Sequence, residues 1–203
     1  MFENSKVTSE VEAYILGFIC ADGTIVGHNG ILDTLNITAS IKDKEHIQSI
    51  NKFLNGKIGF YNSVLNGKEF PIIRLSLYSR KKVKNLNNLG IIQNKTYYSG
   101  SKVFDNVKYK SDFLRGYFDG NGCVSINKKG QINVEMCSRN IPLLNSFLDF
   151  IKKNVKTKAN VTIGDGVYRI RFGGNKSSKK IYELFYSNNP ILYLNRKRSI
   201  FKW

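Results

Sequence analysis

The sequence predicts an α+β protein built from two pseudo-symmetric αββαββα halves, with two short motif helices packed at the centre and antiparallel sheets flanking them. Three observations lead there. The chain has 203 residues, 41% hydrophobic and 12% aromatic, which is enough apolar material for one large core or two small ones. The block YILGFICADGTI at 14–25 is answered by FLRGYFDGNGCV at 113–124, pairing Gly17 with Gly116, Gly23 with Gly122 and Asp22 with Asn121. In both copies the hydrophobic period also switches between helical and alternating in the same order.

In the first copy, Val11, Ile15, Phe18 and Ile19 recur at helical spacing. Leu35, Ile37, Ala39 and Ile41 then alternate with Thr34, Asn36, Thr38 and Ser40, as in a strand pair. Asp43 can cap a helix carrying Ile47, Ile50, Phe53 and Leu54 and ended by Gly56. Strands follow near 57–64 and 71–79 around an Asn66-Gly67 turn, and a helix at 80–89 stops at Gly90. The second copy predicts a helix at 112–120, strands near 123–128 and 131–137, a helix at 141–153, strands near 158–163 and 167–172, and a helix at 177–187. Further matches support the repeat: 40–54 resembles 138–152, and 72–86 resembles 167–184. The polar stretch 91–111 has no clear period, so the expected units are 1–98, a linker 99–111, and 112–203.

Lys and Arg number 32 against 15 Asp and Glu, a net charge of +17. That is far more than solubility requires and is the footprint of a polyanion partner, nucleic acid first. Residues 1–99 carry 12 basic and 8 acidic groups and residues 100–203 carry 20 and 7, so the second half is expected to grip phosphates harder. Three cysteines, Cys20, Cys123 and Cys137, without a CxxC pair, and only two histidines argue against a disulfide framework or a zinc site. No apolar run approaches membrane-spanning length and the first residues lack the marks of a signal peptide, so a soluble intracellular protein is expected. Asn, Lys and Ile make up about a third of the chain, as AT-rich codons would give, which points to a phage, bacterial or organellar origin.

Each motif is an apolar helix with a glycine in its middle and another past its end. A mid-helix glycine costs about 0.5–1 kcal/mol relative to alanine, so Gly17 and Gly116 imply close approach of another backbone, most simply the other copy's helix. Gly23 and Gly122 suit the left-handed position that closes a helix. Asp22, at a helix end already carrying about half a negative charge, calls for a cation nearby. Two such ends side by side, with backbone carbonyls at Ala21 and Gly120, form the cluster of hard oxygens that Mg²⁺ or Ca²⁺ prefers. Metal ions there could generate a hydroxide and stabilise the leaving oxygen of a phosphodiester. The plainer alternative, a tight helix seam with a solvated Asp22, stays open at this point.

ILGFICADG at 15–23 and LRGYFDGNG at 114–122 resemble the paired signature motifs of the single-chain LAGLIDADG homing endonucleases, and the resemblance runs over nearly the whole chain. It implies a metal-dependent enzyme, often intron-encoded, that acts as a monomer on a long asymmetric double-stranded DNA site. The last acid of each motif would hold Mg²⁺, with Mn²⁺ or Ca²⁺ able to substitute. By resemblance Asp22 and Asn121 are the catalytic and metal positions, and Lys95 and Lys197 are the basic residues flanking the metal site. Two departures stand out: Cys20 replaces an often acidic residue that the second copy keeps as Asp119, and Asn121 stands where an aspartate is expected.

The strand faces opposite the apolar residues carry Thr34, Asn36, Thr38, Ser40, Arg74, Ser76 and Tyr78 in the first copy. In the second they carry Ser125, Asn127, Lys129, Gln131, Asn133, Glu135, Lys158, Asn160, Thr162, Arg169 and Arg171. A solvated sheet face usually mixes Lys with Glu. These hydroxyl, amide and Arg groups are instead the types that read base edges in the major groove. Asn121 keeps a second function in play, a non-cutting DNA- or RNA-binding protein such as a regulator or an intron maturase.

Overall fold

The computed structural model describes residues 1–28, 31–93 and 101–203. The expected boundary at 98–99 lies outside the described residues. The first half runs α1 (Glu10–Asp22), β1 (Gly23–His28), β2 (Ile31–Ser40), α2 (Lys44–Leu54), β3 (Lys57–Leu65), β4 (Lys68–Tyr78) and α3 (Arg80–Asn88). A short helix α4 (Ser101–Asp105) leads into the second half: α5 (Lys110–Asn121), β5 (Gly122–Ile126), β6 (Ile132–Ser138), α6 (Ile141–Asn154), β7 (Val161–Gly164), β8 (Val167–Gly173), α7 (Asn175–Tyr186) and α8 (Asn195–Arg198).

Among the described residues the strands form two antiparallel four-stranded sheets, ordered β1-β2-β4-β3 and β5-β6-β8-β7, so the halves share one topology. Helices α1 and α5 lie side by side between them. Every residue from Glu12 to Cys20 is buried, as is every residue from Phe113 to Asp119, the pattern of helices enclosed on all sides. One continuous hydrophobic core joins the halves.

Local chemistry explains most boundaries. Ser9 caps α1 by accepting from the Glu12 N–H at 3.2 Å, and Asn140 caps α6 by accepting from the Leu143 N–H at 3.0 Å. The Asn66-Gly67 and Asp165-Gly166 turns have positive φ at both residues, as a two-residue hairpin turn requires.

Several expectations are corrected. Gly23 and Gly122 are extended, not left-handed. A side chain at Gly23 would stand 2.7 Å from the Ile19 carbonyl oxygen, and one at Gly122 would run into Phe118, so close approach and not positive φ selects glycine. Helix α2 ends in a left-handed Asn55 rather than at Gly56. Asp43 makes no side-chain cap to α2; Arg196 takes its carboxylate instead, at 2.6 and 2.9 Å. The apparently period-less 91–111 contains α4, whose Val103 and Phe104 are buried in the core, and strand β7 begins at Val161 rather than near 158.

Candidate functional site

The seam between α1 and α5 is built on its glycines. A side chain at Gly17 would collide with the Phe113 carbonyl oxygen, and one at Gly116 with that of Tyr14, a reciprocal pair of backbone contacts. One turn further on, Gly120 meets the Ala21 methyl, and a side chain there would stand 3.1 Å from Asp22 Oδ2. Ala21 and Asn121 line one small cavity with Cys20, Tyr117 and Ser138, about 190 Å³ in volume. The seam thus brings Ala21, Asp22, Gly120 and Asn121 to one end. The Asn121 amide points along its own helix, donating to the Tyr117 hydroxyl over a long 3.5 Å.

Lys197, on α8, is buried, and its ammonium donates to the carbonyls of Phe118 and Asp119, both at 2.7 Å, with that of Gly120 at 3.5 Å. The cation that a helix C-terminus calls for is therefore this lysine in the second half. Burial lowers its pKa to about 8 despite the opposing pull of Asp119 and, more weakly, Asp22. Lys95 lies outside the described residues.

Among the described residues no group of three His, Cys, Asp or Glu converges to cage a metal. The charged hard donor at the seam end is Asp22, while Asn121 offers a neutral amide and Lys197 already sits within reach of the Gly120 carbonyl. Magnesium is commonly held by one or two carboxylates plus substrate phosphates, so these residues fit one cation on the Asp22 side better than a symmetric pair.

On the first sheet, Asn36, Thr38 and Ser40 pair with Ser76, Arg74 and Ile72. Ser76 Oγ donates to Asn36 Oδ1 at 2.6 Å, Arg74 Nε donates to Thr38 Oγ1 at 3.3 Å, and Tyr78 is exposed. Thr34 and Ser76 are buried, Thr34 bonding Asp33 Oδ1 at 2.7 Å, so these two brace the face rather than offer it contacts. On the second sheet, Ser125 pairs with Asn133, Glu135 with Arg171, and Thr162 with Arg169.

The remaining positions fall off the strands. Asn127, Lys129 and Gln131 form the β5–β6 loop, where Asn127 Oδ1 accepts from the N–H groups of Lys129 and Gln131 at 2.9 and 3.0 Å. That turn chemistry competes with the ladder. Lys158 and Asn160 precede β7, and Asn160 Oδ1 accepts from Lys152 Nζ at 3.3 Å.

A sequence profile of the LAGLIDADG-like domain matches residues 108–186. The chain carries a LAGLIDADG-like domain. Both halves together have the fold of LAGLIDADG meganucleases, matched over up to 95% of the chain. It is similar to the homing endonuclease I-WcaI bound to its DNA recognition sequence, with a TM-score of 0.72, 14% identity, and coverage of 95% of this chain and 87% of that one. It is also similar to I-DmoI in complex with DNA and Mn, with a TM-score of 0.54, 16% identity and coverage of 87% and 96%. A third likeness is the N-terminal LAGLIDADG domain of DUF199/WhiA, with a TM-score of 0.56, 17% identity and coverage of 91% and 87%. No curated protein sequence matches the chain.

The LAGLIDADG seam also holds a buried polar relay that sequence reading missed. The Tyr14 hydroxyl donates to Asp119 Oδ2 at 2.6 Å, lies 3.0 Å from His46 Nε2, and the Leu194 N–H donates to the same carboxylate oxygen at 2.8 Å. Burial pushes the Asp119 pKa up to about 6 and pulls that of His46 down to about 4. The pair at Cys20 and Asp119, which departs from symmetry, was the available signal, but nothing local identified partners 105 and 75 positions away.

His46 makes a measurable prediction. A base whose folded pKa is depressed stabilises the fold in its neutral form, so its contribution is full above pH 6.5 and is lost as pH falls towards 4. Asp119, raised from 3.8 to about 6, acts in the opposite sense between those values. The His46 part is therefore read as the difference between wild type and His46→Gln in thermal unfolding. That difference should shrink steadily from pH 7 to pH 4, and a constant difference would show that His46 does not titrate in the folded protein.

Proposed function

We propose that this chain is a site-specific double-stranded DNA endonuclease of the homing type, acting as a monomer on a long asymmetric site, with activity attenuated by Asn121. The observation that carries this is the gathering of Ala21, Asp22, Gly120 and Asn121 at one end of a glycine seam, between two sheets whose polar faces bear Arg74, Arg169 and Arg171. The +17 charge supplies the sequence-independent attraction to phosphates. The DNA-bound meganucleases of the same fold support the reading.

A divalent cation, Mg²⁺ in the expected case, held by Asp22 and a scissile phosphate oxygen would supply Lewis-acid stabilisation of the leaving oxygen. The chain's own residues do the rest. Asp22 orients what attacks the phosphorus. Lys197, locked onto the end of α5, offsets the partial charge of the Phe118 and Asp119 carbonyls and eases the approach of a polyanion without touching it. The Asn121 side keeps one oxygen acceptor but lacks a charge.

That missing charge favours a second reading, a DNA- or RNA-binding protein such as a regulator or an intron maturase that does not cut. Two measurements decide. Duplex affinity should fall steeply with salt, with a slope corresponding to several phosphates; a slope near zero would end both readings. Target-bearing supercoiled plasmid with Mg²⁺ or Mn²⁺ should be nicked slowly, and plasmid bound but intact at every metal would leave only the second.

A further inference from the structure

The two sheets are unequal. Strand β4 has 11 residues and its counterpart β8 has 7, while both hairpins close in the same tight two-residue turn, so the whole difference is ladder. At about 3.3 Å per residue the first hairpin reaches about 13 Å further, the rise of about four base pairs at about 3.4 Å each.

The extension also differs in chemistry. Its register places Tyr61 beside Ile72, Ser63 beside Phe70 and Leu65 beside Lys68, all on the face shared with Arg74. Tyr61 lies across Gly59, where a side chain would stand 2.5 Å from its hydroxyl, and stacks under the Arg74 guanidinium at 5.0 Å. Leu65 is 65% exposed and Phe70 47%. Large apolar side chains held out of a protein in line with Lys57, Lys68 and Arg74 suit a partner that is anionic and yet offers apolar points. The major groove is such a surface: phosphates line it, and each thymine projects a 5-methyl group into it.

The second face has no such apolar row. Arg171 is clamped to Glu135 at 2.6 Å, and Arg169 is held by Asp165 at 3.2 Å and by Glu135 at 3.6 Å. Two guanidinium forks held in fixed directions suit guanine, whose O6 and N7 accept a bidentate pair.

Resting on the DNA-binding reading above, we infer that the halves read arms of unequal length and opposite composition. The first sheet reads the longer arm, whose outer base pairs are rich in thymine contacted by Leu65, Phe70 and Ile72. The second reads a shorter arm in which Arg169 and Arg171 contact guanines.

Selection from duplexes with a long randomised core, followed by footprinting of the winners, tests this with the intact chain. Selected sites should have one arm longer by about four base pairs, with thymines towards its outer end and guanines in the other arm. Replacing each outer thymine by deoxyuracil should weaken binding about fourfold, the effect of one buried methyl. Phe70→Ser and Leu65→Ser, at exposed positions, should lower affinity for the selected site and lose this uracil sensitivity. Arg171→Gln should lose sensitivity to 7-deazaguanine in the short arm while keeping the response to uracil. Arms of equal length, indifference to uracil, or full uracil sensitivity in Phe70→Ser would each overturn the inference while leaving DNA binding intact. Failure to enrich any duplex at low salt would instead overturn the DNA reading beneath it.

Discussion

Asn121→Asp should raise double-strand cleavage by about 100-fold or more, the scale on which a placed charge acts at a partly enclosed site. In the structure the Asn121 amide donates to Tyr117, whose hydroxyl proton is already given to the Cys137 carbonyl at 3.0 Å. A carboxylate at 121 would lose that amide donor and accept from Tyr117 only if the hydroxyl turned from Cys137, so its charge would be left for a cation and the fold little disturbed. Asp22→Asn in the wild-type background should abolish whatever cutting the chain has. Its affinity in metal-free buffer should stay equal or rise, because a negative group facing the phosphates is gone. Single-turnover cleavage of a labelled target and gel-shift titration of the three proteins report both quantities. If Asn121→Asp binds its site normally and still fails to cut, the chain is a binding protein and the assignment of the seam end as a cleavage centre is wrong.

Gly17→Ala should destabilise the protein by about 3 kcal/mol, the upper part of the ordinary range for overpacking. The new methyl would overlap the Phe113 carbonyl oxygen and stand 2.8 Å from its carbon and 3.0 Å from the Tyr117 nitrogen. All three are backbone atoms of an enclosed helix, so no rotamer change relieves the clash and α1 and α5 must separate. The gain in helix propensity, about 1 kcal/mol, acts against this without cancelling it. Gly116→Ala should cost a similar amount through the Tyr14 carbonyl. The double substitution should cost less than the sum, since one separation of the helices serves both. Denaturant unfolding followed by circular dichroism measures all three, and a wild-type midpoint for Gly17→Ala would contradict the packing.

What could be read in advance was whatever chain-local chemistry decides. The Asn66-Gly67 turn announces itself because few residues tolerate positive φ. The repeat and the alternation of Leu35, Ile37 and Ala39 were equally plain. The central glycines were legible because a helix interior selects against glycine unless something presses on it. The glycines at the motif ends misled for a related reason: positive φ and crowding both select the same residue, and only coordinates separate them. Helix α4, five residues long, is too short to express a period.

The candidate site was legible in its positions but not in its partners. Asp22 and Asn121 were visible as motif ends. That Lys197 spends its donors on helix carbonyls could not be seen, because that depends on a fold closing 79 residues back along the chain. The relay from His46 through Tyr14 to Asp119 was hidden for the same reason, its members having nothing in common but where they end up.

The clasp between Arg196 and Asp43 bears on how the protein is born. Its partners are separated by 153 positions, so a ribosome adding about 5–20 residues per second presents the acid some 8–30 s before the base. Throughout that interval the start of α2 carries an aspartate with no arginine, and for the first part of it α1, with its apolar flank and bare glycine, has no second helix to lie against, since α5 ends only at Asn121. The first half emerges as a surface awaiting its counterpart, and until the counterpart arrives it exposes the apolar seam that a chaperone, or a neighbouring nascent chain, would find first.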